Sequence, residues 1–333
     1  MKMAPLSYWL HAFFHEWLGE QRNCSRHTIL SYRDTWRLFL RYVAGRRGRS
    51  VSALSLSDLS ADEALAFLGH VESERCDTIG TRNCRLAAIR SFFHFVADRQ
   101  PLAAAQCAAV LRIPTKKAPQ RAIDYLSTEE VTAILAQPNR SMLEGQRDHA
   151  LLALLYNTGA RIQEALSLCP IHLHLDSPAQ VKLYGKGRKE RICPLWPETA
   201  ELLSALQDRC PRSTDEPLFV NRYGQPLGAA GVRYKLAEYA RAAARELPSL
   251  QHKRVTPHTF RHTAGVELVA SGVDITVIRS LFGHVSLDTT NQYARANIET
   301  KRRALELIDP TKRPGGPPRW KRNPELMDWL DSL

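Results

Sequence analysis

A proline is tolerated in a helix only within the first turn, so the run Thr256-Pro-His-Thr-Phe-Arg-His-Thr263 has few ways to fold. Thr256 suits the capping position ahead of it, and the spacing predicts a helix that starts at Pro257. His258 and Arg261 then lie three residues apart on one helical face. Both fall near the helix N-terminus, where free backbone N–H groups already favour an anion. The arrangement suits a phosphate. A chain with 12 histidines and many arginines also yields a His-x-x-Arg pair by chance. The pair gains weight from the stretches that follow it, Leu281-Phe-Gly-His284 and Thr289-Thr-Asn-Gln-Tyr293.

A length of 333 residues points to two domains, and 44% hydrophobic residues are ample for two cores. The net charge of +12 favours a polyanionic partner, because Lys and Arg neutralise phosphates and release counterions. A solvated basic surface would give the same number. The seven cysteines are scattered and contain no Cys-x-x-Cys, which argues against a zinc ribbon or a disulfide framework. Free thiols in a reducing cytoplasm are the simplest account. His172-x-His174 lacks ligand partners and reads as loop, so neither a metal nor a cofactor is expected. His11, His15 and Glu16 interrupt the apolar residues of the N-terminus, unlike a signal peptide. No apolar run approaches the ~20 residues of a membrane span.

The first hundred residues read as a helical domain. Leu6, Trp9, Leu10, Phe13, Phe14 and Trp17 have helical spacing over 6–18. A second helix is expected over 25–44, with Ile29, Trp36, Phe39 and Val43 facing the core and Arg33, Arg37 and Arg41 on a separate stripe. Ser60-Ala-Asp-Glu63 reads as a capping box opening a third helix. A fourth is expected over 78–97, with Leu86, Ile89, Phe93 and Val96 as core and Thr78, Arg82 and Arg85 on another face. Each arginine stripe can be an ordinary solvated face, but two in one basic domain make DNA backbone contact plausible. Pro101, Pro114 and Pro119, with Lys116, Lys117 and Arg121, mark 101–124 as a basic linker able to lie along DNA.

Ser127-Thr-Glu-Glu130 is a second capping box and opens the second domain, over 125–310. Residues 148–156 read as a buried helix ended by Gly159, followed by a short helix over 161–166. A hairpin is expected, with strands over 180–184 and 190–195 around Gly185-Lys-Gly-Arg188. Helices are expected over 198–208, 231–245, 257–270 and 275–282, with Gly283 ending the last and His284 just beyond it. The fold class is mainly α with a small antiparallel β-sheet. Pro314-Gly-Gly-Pro-Pro318 begins a tail, 311–333, as a flexible or extended joint.

Arg161, Lys186, His258, Arg261, His284 and Tyr293 converge on one chemistry. Two guanidiniums can bracket the non-bridging oxygens of a phosphodiester and stabilise a pentacoordinate transition state. Two imidazoles can donate hydrogen bonds or shuttle protons. A lysine on a turn can protonate a leaving oxygen. A tyrosine can be the nucleophile if positive surroundings help its phenol, of reference pKa ~10, to ionise. Each also has a structural explanation: Arg161 can pair with Glu164, Lys186 can be a solvated hairpin residue, His284 can cap a helix, and Tyr293 can be core. The structural readings hold singly, and the catalytic one holds jointly.

The segments Tyr156-Asn-Thr-Gly-Ala-Arg-Ile-Gln-Glu-Ala-Leu166, Tyr184-Gly-Lys-Gly-Arg-Lys-Glu-Arg191, Pro257–Thr263, Leu281–His284 and Thr289–Tyr293 together resemble the tyrosine recombinases, the family of phage integrases and Xer resolvases. The resemblance runs over about 6–308 and is most specific in the second half. It implies a SAM-like helical core-binding domain ahead of a catalytic domain, closing as a clamp on double-stranded DNA. It implies that the six residues are the catalytic set. Tyr293 would form a 3′-phosphotyrosyl link, Lys186 would protonate the 5′ oxygen, and Arg161, Arg261 and His284 would hold the phosphate. His258 would bond the phosphate and accept the tyrosine proton. No metal or ATP would be needed, and four protomers, identical or not, would exchange strands through a Holliday junction. Phe282 is a mild departure where many members carry leucine. An apolar stripe in 299–308 would dock on a neighbouring protomer, reinforced by a tail helix over 323–333. A topoisomerase of the same chemistry and a catalytically silent DNA-binding protein are the alternatives. The intact set argues against the silent protein, and the Arg161 and His284 contexts favour recombination over relaxation. The tail and first domain lean towards a mobile element, hence integration or transposition, over a cellular dimer resolvase.

Overall fold

The computed structural model describes residues 4–118, 124–185, 190–283 and residue 293. Lys186, Arg121, His284, the 299–308 stripe and the tail therefore lie outside the described residues. The chain divides into two compact units, Met1–Gln120 and Arg121–Leu333.

The first unit is helical. Helix α1, Leu6–Ala12, continues as a π-helical segment over Phe13–Gln21, a widening that the helical spacing over 6–18 does not reveal. Helices α2 (Arg26–Arg47), α3 (Ala61–Ser73) and α4 (Ile79–Ala97) follow. Ser25, Ser60 and Thr78 cap them through their hydroxyls. Glu63 does not complete the expected box reciprocally; its carboxylate turns to Arg46 and Arg47, at 3.7 and 3.5 Å. Trp36, Phe39, Phe67, Phe92 and Phe93 form a buried aromatic centre, whose rings meet edge-on or tilted.

Two expectations are corrected here. The stretch from residue 101 is not all linker: it contains helix α5, Ala104–Leu111, and Cys107, Val110 and Ile113 join the core of the first unit. Its alanine-rich sequence has high helix propensity, which the flanking prolines obscured. Arg82 is not a solvated-face residue. It is 3% exposed and its guanidinium donates to the Pro114 carbonyl at 3.1 Å. Asn83 donates to the Lys116 carbonyl at 2.8 Å and Arg90 donates to that of Ile113, so α4 pins residues 113–116 against itself. Lys116 in turn bonds Glu72 at 2.8 Å.

The second unit opens with α6, Thr128–Leu135, whose capping box forms as expected. Helix α7, Leu143–Thr158, carries Ala150, Leu151, Leu152, Leu154 and Leu155 into the core and ends at Gly159, with φ 56°. Helix α8 is Ile162–Leu166. A three-stranded antiparallel sheet follows, β1 (Leu173–His174), β2 (Gln180–Tyr184) and β3 (Glu190–Pro194), in that order. His174 is therefore strand, paired with Gln180, rather than loop. Val181 and Leu183 alternate inward, and Leu183 faces Arg191 in the register. Helices α9 (Pro197–Arg209), α10 (Ala229–Ala243), α11 (Pro257–Ala270) and α12 (Ile275–Phe282) complete the unit. Among the described residues no helix is long and apolar enough to cross a membrane.

Candidate active site

Helix α11 begins as its proline demands, with the Thr256 hydroxyl accepting the Thr259 N–H at 3.2 Å. That cap sets the face on which Arg261 lies. Arg261 is 3% exposed and reaches two helix ends at once. It donates to the carbonyl of Gly159, just past α7, and to that of Phe282, the last residue of α12, at 2.7 Å. Helix C-termini leave carbonyls unpaired and carry partial negative charge, so a cation there is held firmly. Gly159 is required twice. It adopts positive φ, and a Cβ on it would collide with the Phe282 ring. That ring stacks under the Arg261 guanidinium at 4.7 Å. Burial lowers the Arg261 pKa to about 10, which still leaves it charged at neutral pH.

Arg161 is the extended residue that starts α8. Glu164 accepts its backbone N–H at 2.9 Å and its side chain at 2.8 Å. Glu164 is 4% exposed and also accepts from Arg191 of β3 at 2.6 Å. Arg191 further donates to the Leu281 carbonyl at 2.8 Å. Burial alone would raise the Glu164 carboxyl; hydrogen bonds and charge from Arg191 and Arg161 outweigh it and hold the group below the usual carboxylate range. The structural pairing of Arg161 with Glu164 is thus real. It leaves Arg161 partly exposed and close enough to act electrostatically on His258, Arg261 and Tyr293.

Tyr293 is 1% exposed. Its ring meets Phe282 at 5.8 Å and His262 at 5.7 Å, both edge-on. It lies directly on Gly265: a Cβ there would come within 2.7 Å of the ring, so only glycine leaves room. Burial raises the phenol above its ordinary pKa, while Arg261, which hydrogen-bonds it, and Arg161 pull the other way. His258 is exposed, and its imidazole is held below the ordinary value by partial burial and by Arg261, Arg161 and Arg233.

Arg161, His258, Arg261 and Tyr293 are therefore brought together, whereas Lys186 and His284 lie outside the described residues. Arg191, His262 and Gly265 are not singled out by the sequence, which offers Gly159 only as a helix end and Glu164 only as a structural partner of Arg161. The signal for Glu164 is its three-residue spacing from Arg161. Among the described residues no group of three or more His, Cys, Asp or Glu is placed to hold a metal ion.

A groove of about 580 Å³ runs beside the site between α10 and the start of α11, lined by Arg233, Arg241, Arg245, Arg254 and Thr256. Those four arginines are exposed, and none forms an ion pair among the described residues. In the first unit Arg33 and Arg37 are exposed on α2, with Arg33 against Asp34 at 2.8 Å; Lys117 is exposed too. Arg85 is bound to Asp77 at 2.7 Å and is largely covered.

The model of the phage integrase family matches residues 124–300, and that of the phage integrase N-terminal SAM-like domain matches 12–100. The chain is 37% identical over 332 residues to the putative integrase/recombinase y4rC of Sinorhizobium fredii, covering 100% of this chain and 99% of that protein. It is 31% identical over 309 residues to tyrosine recombinase XerC of Pelobacter propionicus, covering 92% and 96%. Its fold matches that of XerH site-specific recombinase bound to its difH substrate, with a TM-score of 0.65 and 21% identity over 89% of this chain and 84% of that one. A lambda integrase dimer bound to a core site gives 0.64 and 16%, over 88% and 78%. Matched by the family model over more than half its length, and by a relative over all of it, the chain belongs to the phage integrase family, the tyrosine recombinases.

Proposed function

We propose that this tyrosine recombinase cuts and rejoins double-stranded DNA at specific sites through a 3′-phosphotyrosyl intermediate. The observation that carries the reading is Tyr293 seated against Arg261, with Arg161 and His258 acting on the same pocket. In this reading the phenol oxygen of Tyr293 attacks the scissile phosphorus, the bond to the 5′ oxygen breaks, and Lys186 protonates that oxygen as it leaves. Arg161, with His284, neutralises the charge that grows on the non-bridging oxygens, and Arg261 fixes the nucleophile and adds to that field. The ester keeps the bond energy, so religation by another 5′-hydroxyl needs no external energy source. The four exposed arginines of the groove beside His258 offer the backbone a path onto the catalytic domain. Strand exchange would run through a Holliday junction in a tetramer, homo- or heteromeric, in the cytoplasm. We favour integration or transposition over dimer resolution on the tail and the first domain; the relatives, a putative integrase/recombinase at 37% and XerC proteins at 34% and 31%, agree with either outcome.

The test is a suicide substrate analysed on a denaturing gel. Tyr293→Phe removes only the hydroxyl, so DNA binding should persist while the covalent adduct disappears. An adduct of undiminished yield would show that another residue is the nucleophile. Sequencing the attached DNA would identify the cleavage site.

A further inference from the structure

We propose that Phe282 is a positioning residue for cleavage: the face of its ring holds the Arg261 guanidinium and the same ring holds Tyr293, so that cation and nucleophile keep one geometry. The inference rests on Tyr293 being the nucleophile. Three contacts close a triangle. The Arg261 guanidinium lies over the Phe282 ring at 4.7 Å. The Phe282 and Tyr293 rings meet nearly at right angles, 83°, with centroids 5.8 Å apart. Arg261 hydrogen-bonds the phenol and completes the figure. Phe282 and Tyr293 are 1% exposed and Arg261 3%. All three contacts are therefore shielded from solvent, where a cation over an aromatic face is worth most.

The fold makes room for this ring in particular. A Cβ on Gly159 would run into its Cε1, Cζ and Cδ1 atoms, so the ring occupies space that a glycine leaves open. Ile278, one turn back on α12, is buried in the same cluster and anchors the helix end that carries the ring. Phe282 also accepts from Arg261 through its main-chain carbonyl, at 2.7 Å. One residue thus grips the guanidinium twice, by a backbone hydrogen bond and by the negative face of its ring. Any substitution here keeps the carbonyl, so side-chain variants test the ring alone. The leucine that many members of the family carry at this place is apolar too but has no such face. A ring that only filled the core would affect stability. A ring that sets Arg261 against Tyr293 must also affect the rate, because a displacement of about 1 Å in a reacting group can cost ~10²-fold.

The test is single-turnover cleavage of a suicide substrate by the full chain at saturating protein, with site affinity and thermal melting measured beside it. Phe282→Leu removes the aromatic face. A second series places phenylalanine bearing one, two or three ring fluorines at position 282, which drains charge from the face and hardly alters the shape. Phe282→Leu should bind site DNA as the parent does and form the Tyr293 adduct at least about tenfold slower. The fluorinated proteins should lose rate stepwise with each fluorine, again at unchanged affinity. A parental rate in folded Phe282→Leu overturns the proposal. So do equal rates across the fluorinated series, which would mean that the ring only packs, and so does an affinity that falls in step with the rate. If Phe282→Leu does not fold, the fluorinated series, which keeps the ring in place, gives the result. An unmodified protein that forms no adduct at Tyr293 overturns the recombinase reading and this inference with it; an adduct formed equally well by every variant overturns only this inference.

Discussion

Glu164 shows how much of the site depends on one residue outside the expected catalytic set. It accepts hydrogen bonds from Arg161 and Arg191 and is almost fully buried. Removing one partner of a buried pair leaves an uncompensated charge, which typically costs ~3–5 kcal/mol. Glu164→Gln keeps the shape and loses the charge, so we expect a loss of about 3 kcal/mol in urea unfolding. Cleavage should fall as well, because Arg161 loses the group that orients it. A variant as stable and active as the parent would reduce the network to incidental contact. The Arg161–Glu164 spacing was legible in the sequence, but Arg191 was not. Its part depends on β3 passing beside α8, which a local pattern does not encode.

At the scale of elements, capping read well and face assignment read less well. The Ser127–Glu130 box, the Thr256 cap and the Gly159 and Gly283 ends all formed where residue chemistry put them, because each is settled within one turn. The α4 stripe failed at Arg82, because periodicity identifies a face without saying what returns to cover it. Residues 113–116 do so, and Arg82 serves as their hydrogen-bond donor. Arg82→Ala would remove the buried guanidinium that donates to the Pro114 carbonyl, and a hydrogen bond from a charged group is worth ~1.5–3 kcal/mol. The denaturation midpoint should drop while the salt dependence of DNA binding stays as it was. A flattened salt slope with unchanged stability would instead return Arg82 to the DNA.

For the whole molecule, the net charge of +12 is the coarsest signal and the arginine groove is where it becomes specific. Each phosphate neutralised contributes about 0.9 to the slope of log K against log salt. Arg241→Ala combined with Arg245→Ala should therefore flatten the slope for site DNA by up to about 2, while the protein stays folded, since both side chains are exposed. An unchanged slope would make the groove an ordinary solvated surface. Arg33 and Arg37 remain candidates in the first unit, because an exposed pair such as Arg33 with Asp34 is worth little and yields readily to a phosphate.

The sequence by itself determined the helical class, the small sheet, the start of α11 and the candidates Arg161, His258, Arg261 and Tyr293. These rest on periodicity, on proline and glycine at helix ends, and on ordered motifs, all of them local in the chain. Only the tertiary structure decided that Arg261 joins the ends of α7 and α12, that Gly159 and Gly265 make way for Phe282 and Tyr293, and that the rings of His262 and Tyr293 pack edge-on. Those contacts join residues 21 to 102 positions apart, or depend on a missing Cβ. Their physical cause is close packing between elements, which exists only once the elements have met.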